Sequence, residues 1–329
     1  MSDSTVTGMS RDPAPAVQRD AVTIDGERRT FSVLGAPEGP SSRRLVLVFH
    51  GSKQSGDVHR RFTGDALAPL ATQGDAVVVY LDGYRGNWND ARLESTFPAR
   101  RRGMDDVAFA RAVVERVTAT HGLVAGPAVM VGYSNGGQMV LRLLHQAPEL
   151  VAATVVLAAT MPAPENRIPG LVDAGSRPVP VPIAFVHGTR DRIVPFDGGA
   201  MSRWAQSFFK VGGRTLSARD TAAYFAARHG IRAEPVTETV PAGPASDGRT
   251  QVVRTTYRQE RVPPVVLYEV RGGGHTIPGP RRSPRVMGRT ATDVTLLELV
   301  TDALALSDPR REPTFPHDDR GAAGAQPMA

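Results

Sequence analysis

Ser134 lies in Gly132-Tyr133-Ser134-Asn135-Gly136, a G-x-S-x-G pentapeptide. The apolar run Ala128-Val129-Met130-Val131 precedes it, and the amphipathic run Gly137–Leu144 follows. A serine on such a strand-to-helix turn presents its hydroxyl above a sheet edge, with a helix N-terminus beneath it. The small glycines relieve crowding at the turn. A hydroxyl there can serve as a nucleophile if a base, an acid and an oxyanion hole accompany it.

The base is sought among eight histidines. His59, His121, His145 and His229 lie in or beside helical segments and read as surface or boundary residues. His317 lies near the C-terminus. His50 and His187 each precede a glycine at a strand end and read as loop-shaping residues. His275 follows the apolar strand Val265–Val270 and the flexible run Gly272-Gly273-Gly274. It is the last histidine before the final helical pattern, where the order Ser…Asp/Glu…His places the base. The acid should fall between Ser134 and His275, in a turn after a strand. Asp191 fits, because Pro182–Val186 leads into His187-Gly188-Thr189-Arg190-Asp191. Asp173 lacks a preceding strand, Asp220 falls in a helical pattern, and Asp197 lies past the turn. Arg190 and Arg192 leave a simple ion pair as the competing reading of Asp191. The oxyanion hole needs two backbone N–H donors. Asn135 supplies one, and the His50-Gly51-Ser52 turn supplies the other, from Ser52 or alternatively Gly51.

The elements that must hold these residues are short apolar runs alternating with helical patterns. The runs are Leu45–Phe49, Ala76–Leu81, Ala128–Tyr133, Thr154–Ala158, Pro182–Val186 and Val265–Val270. The helical patterns include Asp105–Val117, the segment after Ser134, Thr215–His229 and Ala291–Leu306. Val22–Leu34 reads as a hairpin around Asp25-Gly26. Strands apolar throughout, alternating with helices, imply a mostly parallel sheet covered on both faces, with the site at the strands' carboxyl ends. Residues 160–180 and 235–250, rich in Pro and Gly, read as loops. Residues 1–20 and 308–329 read as disordered tails around a domain at 21–307.

Bulk properties exclude several chemistries. There is no cysteine, so disulfides, thiolate metal sites and a Cys nucleophile are ruled out. The formal net charge is +6, yet Lys53 and Lys210 are the lysines among 39 basic residues. Arg100-Arg101-Arg102 is short and lacks interleaved aromatics, so solvated arginines are preferred over a nucleic-acid surface. No apolar run reaches membrane-spanning length, and residues 1–20 show no secretory h-region, which points to a cytoplasmic protein.

Together these segments resemble the polyhydroxybutyrate-depolymerase-like esterases of the α/β-hydrolase superfamily, which include feruloyl and acetylxylan esterases. The resemblance spans roughly Val22 to Pro280. It rests on Phe49-His50-Gly51, Tyr80-Leu81-Asp82-Gly83 with Trp88-Asn89-Asp90, Asp105–Phe109, the serine pentapeptide, His187–Asp191 with Ile193–Phe196, and Gly273–Gly279. It implies an α/β-hydrolase fold and a carboxylic-ester hydrolase with Ser134, Asp191 and His275 as its triad, needing no metal or organic cofactor. The partner implied is a small-molecule ester, met by a monomer or small homo-oligomer. It also places the Asp82–Asp90 loop near the substrate. Trp88 is then a pocket residue or a loop anchor, both readings standing. His50, Tyr133 and Ile277, where relatives often carry Trp, are further candidates for substrate contact. Met201, Trp204 and Phe208 are helically spaced, as a core-packing face or an apolar cap, and Trp204 is the substrate-contact candidate among them. The same triad would also serve acyl transfer or thioester cleavage. A non-catalytic binding protein of the same fold is the alternative of a different class.

Overall fold

The computed structural model describes residues 16–172, 178–201, 206 and 211–308. Its centre is a 10-stranded sheet in the order β1-β2-β4-β3-β5-β6-β7-β12-β11-β10. The strands that carry the site are β3 (Arg44–Phe49), β4 (Ala76–Leu81), β5 (Ala128–Tyr133), β6 (Val151–Leu157), β7 (Ile183–Gly188) and β12 (Val262–Arg271). Neighbours within β4-β3-β5-β6-β7-β12 are parallel. Antiparallel strands close both edges: β1 (Val17–Ile24) with β2 (Glu27–Leu34) on one side, β11 (Gln251–Gln259) with β10 (Val236–Thr239) on the other. A separate two-stranded ribbon pairs β8 (Gly199–Ala200) with β9 (Arg214–Thr215).

Period-2 alternation sorts the sheet's apolar side chains into two cores. Leu45, Leu47 and Phe49 of β3, and Val77, Val79 and Leu81 of β4, face one core. The helices α4 (Asp106–Thr120), α5 (Asn135–Gln146) and α6 (Ala218–Arg228) contribute to it. Val46 and Val48, and Ala76, Val78 and Tyr80, face the other core, with residues of α2 (Ala68–Thr72) and α7 (Leu296–Leu306). Burial on both faces is why these strands read as unbroken apolar runs. The short helices α1 (Gly56–Phe62) and α3 (Pro98–Arg102) complete the connections.

The chain passes from β3 to β4 on one side and then to β5 on the other side of β3. That reversal opens a crevice at the carboxyl ends of β3 and β5, where ligands bind in open α/β sheets. His50-Gly51-Ser52 and Ser134 stand at those two ends.

Several local expectations need correction. Residues 17–20 are no tail: they form the first half of β1, paired with Leu34 to Phe31. The hairpin turn is Asp25-Gly26 as expected, both at positive φ (50° and 79°), as a type I′ turn requires. The 235–250 loop contains β10, and β11 follows it; both carry polar residues on an exposed face and so lack the apolar run of a central strand. The last helix begins at Leu296 rather than Ala291, because Thr295 and Glu298 form a capping box. Asp173, Trp204, Phe208 and His317 lie outside the described residues.

One buried ion pair fixes the loop that leaves β4. Arg29 Nη2 lies 2.7 Å from Asp106 Oδ1, and the side chains are 3% and 0% exposed. Asp106 Oδ2 accepts the Asn89 N–H at 2.7 Å, and Asn89 Nδ2 donates to the Met104 carbonyl at 2.8 Å. Asp106→Ala would strand the Arg29 guanidinium in an apolar setting, at a cost of about 3–5 kcal/mol. A urea-unfolding midpoint lowered accordingly, and partly restored by Arg29→Met in the same chain, is the expected result.

Candidate active site

The pentapeptide forms a sharp elbow. β5 ends at Tyr133, α5 begins at Asn135, and Ser134 between them has φ 54° and ψ −114°. That backbone lies in a region non-glycine residues rarely occupy, and such strain persists only where surrounding structure imposes it. Close packing explains the flanking glycines. A Cβ on Gly132 would lie 2.5 Å from the Gly136 carbonyl oxygen, and one on Gly136 would collide with the Phe49 carbonyl. The Ser134 N–H is tied to the Leu157 carbonyl at 2.9 Å, while the residue stays partly exposed.

His275 and Asp191 meet this serine from two other strand ends. His275 Nε2 lies 2.9 Å from Ser134 Oγ, and its Nδ1 lies 2.7 Å from Asp191 Oδ2. The other carboxylate oxygen of Asp191 accepts the N–H groups of Ile193 (2.8 Å) and Val194 (2.9 Å). Burial alone would raise the Asp191 pKa. The charge of His275 and hydrogen bonds from His187 and His275 outweigh it and hold the carboxyl well below the usual carboxylate range. His187 therefore does more than shape its loop. Its Nε2 donates to the Val194 carbonyl at 2.9 Å and lies 3.4 Å from Asp191 Oδ2. Its position four residues before Asp191, at the end of β7, was the available signal.

The turn after β3 is held from both sides. His50 is fully buried, and burial depresses its pKa to about 4, so the ring is neutral. Its Nδ1–H donates to the Gly51 carbonyl at 2.7 Å, while Nε2 accepts the Gly83 N–H at 2.9 Å. The Gly51 N–H is taken by Gln54 Oε1 at 3.1 Å, which removes Gly51 as an oxyanion donor. Gln54 Oε1 also accepts from His59 Nδ1 at 3.0 Å, and the Lys53 N–H donates to the Gly86 carbonyl at 2.8 Å. Among the described residues the Ser52 and Asn135 N–H groups have no hydrogen-bond partner. The Asn135 N–H opens a helix, where unsatisfied donors and the helix dipole favour negative charge.

Asn135 carries a second duty that the sequence reading missed. Its side-chain oxygen accepts the Trp88 N–H at 2.9 Å, and its amide nitrogen donates to Asp90 Oδ2 at 2.6 Å. Asp90 is itself buried and paired with Arg92. The Trp88-Asn89-Asp90 segment thus clamps the residue after the serine.

The described substrate-contact candidates, Trp88, His50, Tyr133 and Ile277, are buried. Trp88 is 0% exposed, donates from Nε1 to the His50 carbonyl at 2.9 Å and packs edge-on against Phe49. It anchors the loop. His50 serves the turn described above. Tyr133 is buried, and its hydroxyl donates to the His275 carbonyl at 2.8 Å, so it positions the histidine loop. Ile277 is buried in the second core. Trp204 lies outside the described residues. Met201 is buried in a small cluster with Phe97, Ile193, Val194 and Val211 beside the acid turn.

The helix-associated histidines also depart from expectation. His59, His121, His145 and His229 are all buried. Burial pushes His59 down to about 3 and His145 and His229 to about 4, and it lowers His121 as well. They are neutral core groups whose apolar ring faces pack within the fold. No cluster of His, Cys, Asp or Glu that could hold a metal ion occurs among the described residues. Among those residues, no helix is long and apolar enough to cross a membrane.

Known proteins resemble this chain in sequence and in fold, although no family model matches it. A Nocardia uniformis subsp. tsuyamanensis protein named "Putative esterase NocK" is 31% identical over 295 residues, covering 86% of this chain and 81% of the relative. "Probable feruloyl esterase C" of Aspergillus niger is 24% identical over 193 residues, 56% of this chain and 62% of its own length. The acetyl xylan esterase structure from Aspergillus awamori superposes with a TM-score of 0.54 at 16% identity, covering 80% of this chain and 95% of that one; at that identity it speaks for the fold. The long match to NocK, carried on a switch-point sheet with a serine elbow, makes this chain a member of the α/β-hydrolase esterase family.

Proposed function

We propose that the chain is a serine esterase working through an acyl-enzyme, with Ser134, His275 and Asp191 as its triad. The observation that carries the reading is the relay itself. A strained, partly exposed serine hydroxyl lies 2.9 Å from an imidazole whose far nitrogen lies 2.7 Å from a buried carboxylate. Ser134 Oγ attacks the ester carbonyl carbon as His275 Nε2 takes its proton. Asp191 holds the Nδ1–H tautomer and stabilises the imidazolium. The Ser52 and Asn135 N–H groups receive the oxyanion, each such donor being worth about 3–4 kcal/mol in the barrier. Collapse of the tetrahedral intermediate breaks the bond to the alcohol, which leaves with the proton from His275. Water, deprotonated by the same imidazole, then releases the acid and restores the serine.

The relatives' names make acetyl and hydroxycinnamoyl esters the first substrates to assay. The direct test of the nucleophile is labelling. A fluorophosphonate should modify the protein once, on the peptide containing Ser134, and Ser134→Ala should not be labelled. A label that persists in that variant sinks the assignment.

A further inference from the structure

A second feature lies against the outer side of the His–Asp pair. A cavity of about 230 Å³ is walled by Arg190 and Arg192, which flank Asp191, by Gly274, which precedes His275, and by Arg285, Met287 and Arg289. None of the residues lining it is acidic. Among the described residues the side chains of Arg190, Arg192 and Arg285 have no hydrogen bond or ion pair. Arg289 makes one long bond, from Nη1 to the Arg249 carbonyl at 3.4 Å. Some arginines of this chain are paired, as where Arg219 bonds Glu269 twice at 2.7 Å and Arg29 and Arg254 each meet a carboxylate. Others among the described residues, such as Arg28 and Arg101, are not, so it is the gathering of four around one concavity that is distinctive. The four arginines are exposed and, with no carboxylate lining the concavity, give it a positive potential that attracts anions.

The walls are preformed. The Arg190 N–H donates to the Gly273 carbonyl at 2.8 Å, the Gly274 N–H to the Arg289 carbonyl at 3.0 Å, and the His275 N–H to the Met287 carbonyl at 2.7 Å. Acid turn, histidine loop and the 285–289 segment are therefore one hydrogen-bonded frame, and the guanidiniums project from it. Gly274 shows how tightly the frame closes, since a Cβ there would overlap the Met287 carbonyl.

We infer that this arginine-lined cavity is an anion-binding subsite taking a multiply charged oxyanion, such as a phosphoryl or pyrophosphoryl group. Planar guanidinium forks match phosphate oxygens and bind them by charge-assisted, bidentate hydrogen bonds. The anion comes either from the ester substrate itself, on a portion remote from the carbonyl, or from a free effector. Only the first source rests on the serine-esterase reading above.

Calorimetric titration of the full chain carrying Ser134→Ala with inorganic pyrophosphate tests the site without any turnover. Saturable one-to-one binding that weakens as NaCl is raised is expected. Arg190→Gln with Arg285→Gln should weaken it about tenfold for each guanidinium removed. Arg28→Gln with Arg101→Gln takes the same charge from exposed positions elsewhere and should leave binding within about twofold. The serine-containing enzyme then separates the sources with neutral p-nitrophenyl butyrate. Competitive inhibition by pyrophosphate assigns the subsite to the substrate, whereas a change in rate without competition assigns it to an effector. No saturable binding, or equal weakening in both double variants, overturns the proposal. An unchanged melting temperature in both variants excludes misfolding as the cause.

Discussion

Ser134→Ala is expected to lower kcat on a short-chain aryl ester by roughly 10⁵- to 10⁶-fold while leaving the protein folded. The magnitude follows from the way the site is assembled. Among the described residues, the neighbour of His275 Nε2 is Ser134 Oγ, at 2.9 Å. On the proposed mechanism, the N–H groups of Ser52 and Asn135 serve an oxyanion formed beside that oxygen. Without the hydroxyl, the imidazole and the donors can activate water only in poor geometry, and a residual rate above the uncatalysed one is all that remains. Steady-state assays on protein freed of contaminating esterases, with melting curves beside them, decide the matter. Retention of more than about 1% of wild-type turnover would require a different nucleophile.

Asp191→Asn is expected to cost about 10⁴-fold in kcat, through the tautomer of His275. Oδ1 of Asp191 accepts two backbone N–H groups, from Ile193 and Val194. An asparagine must keep its carbonyl oxygen there, because its amide nitrogen cannot accept. Its NH₂ then faces His275 Nδ1, which has to become the acceptor, and the ring proton moves to Nε2, where it points at Ser134 Oγ. The base is thereby occupied by its own proton. His187 Nε2–H, 3.4 Å from Oδ2, meets a donor as well, so the variant should also be less stable. Stability should separate the two proteins in a pH-dependent way. The Asp191 pKa is depressed in the folded state, so its contribution is fully present above the unfolded carboxyl value of about 3.9 and is lost as pH falls below it. The difference in melting temperature between wild type and Asp191→Asn should therefore shrink as pH falls below about pH 4. A gap that widens below about pH 4 would contradict the depressed pKa.

How much could be read from residues alone depended on whether the signal was local. Central strands such as β3, β4 and β5 announce themselves because burial on both faces demands apolar side chains at every position. Edge strands do not. β10 is exposed throughout and β11 is mostly half-buried or exposed, so their threonines and arginines look like loop. The short helices α1, α2 and α3 are too brief to display a helical period. The buried histidines were misjudged for a related reason: a helix pattern tells which face is apolar, but not that a neighbouring element covers its boundary. Trp88 was evenly poised between pocket and anchor, and full burial decides for the anchor.

The sequence by itself determined the order of parts: a glycine-flanked serine after one apolar strand, an aspartate after another, a histidine after a third. Those are local features, set by strand termination and turn chemistry, and they carry the family. The tertiary structure alone decided which atoms meet. It took the Gly51 N–H out of use through Gln54, set Asn135 against Asp90 and Trp88, and placed His187 behind Asp191. It also gathered four arginines from two distant segments around one cavity. Such contacts join residues far apart in the chain, and the sheet's switch-point topology brings them together.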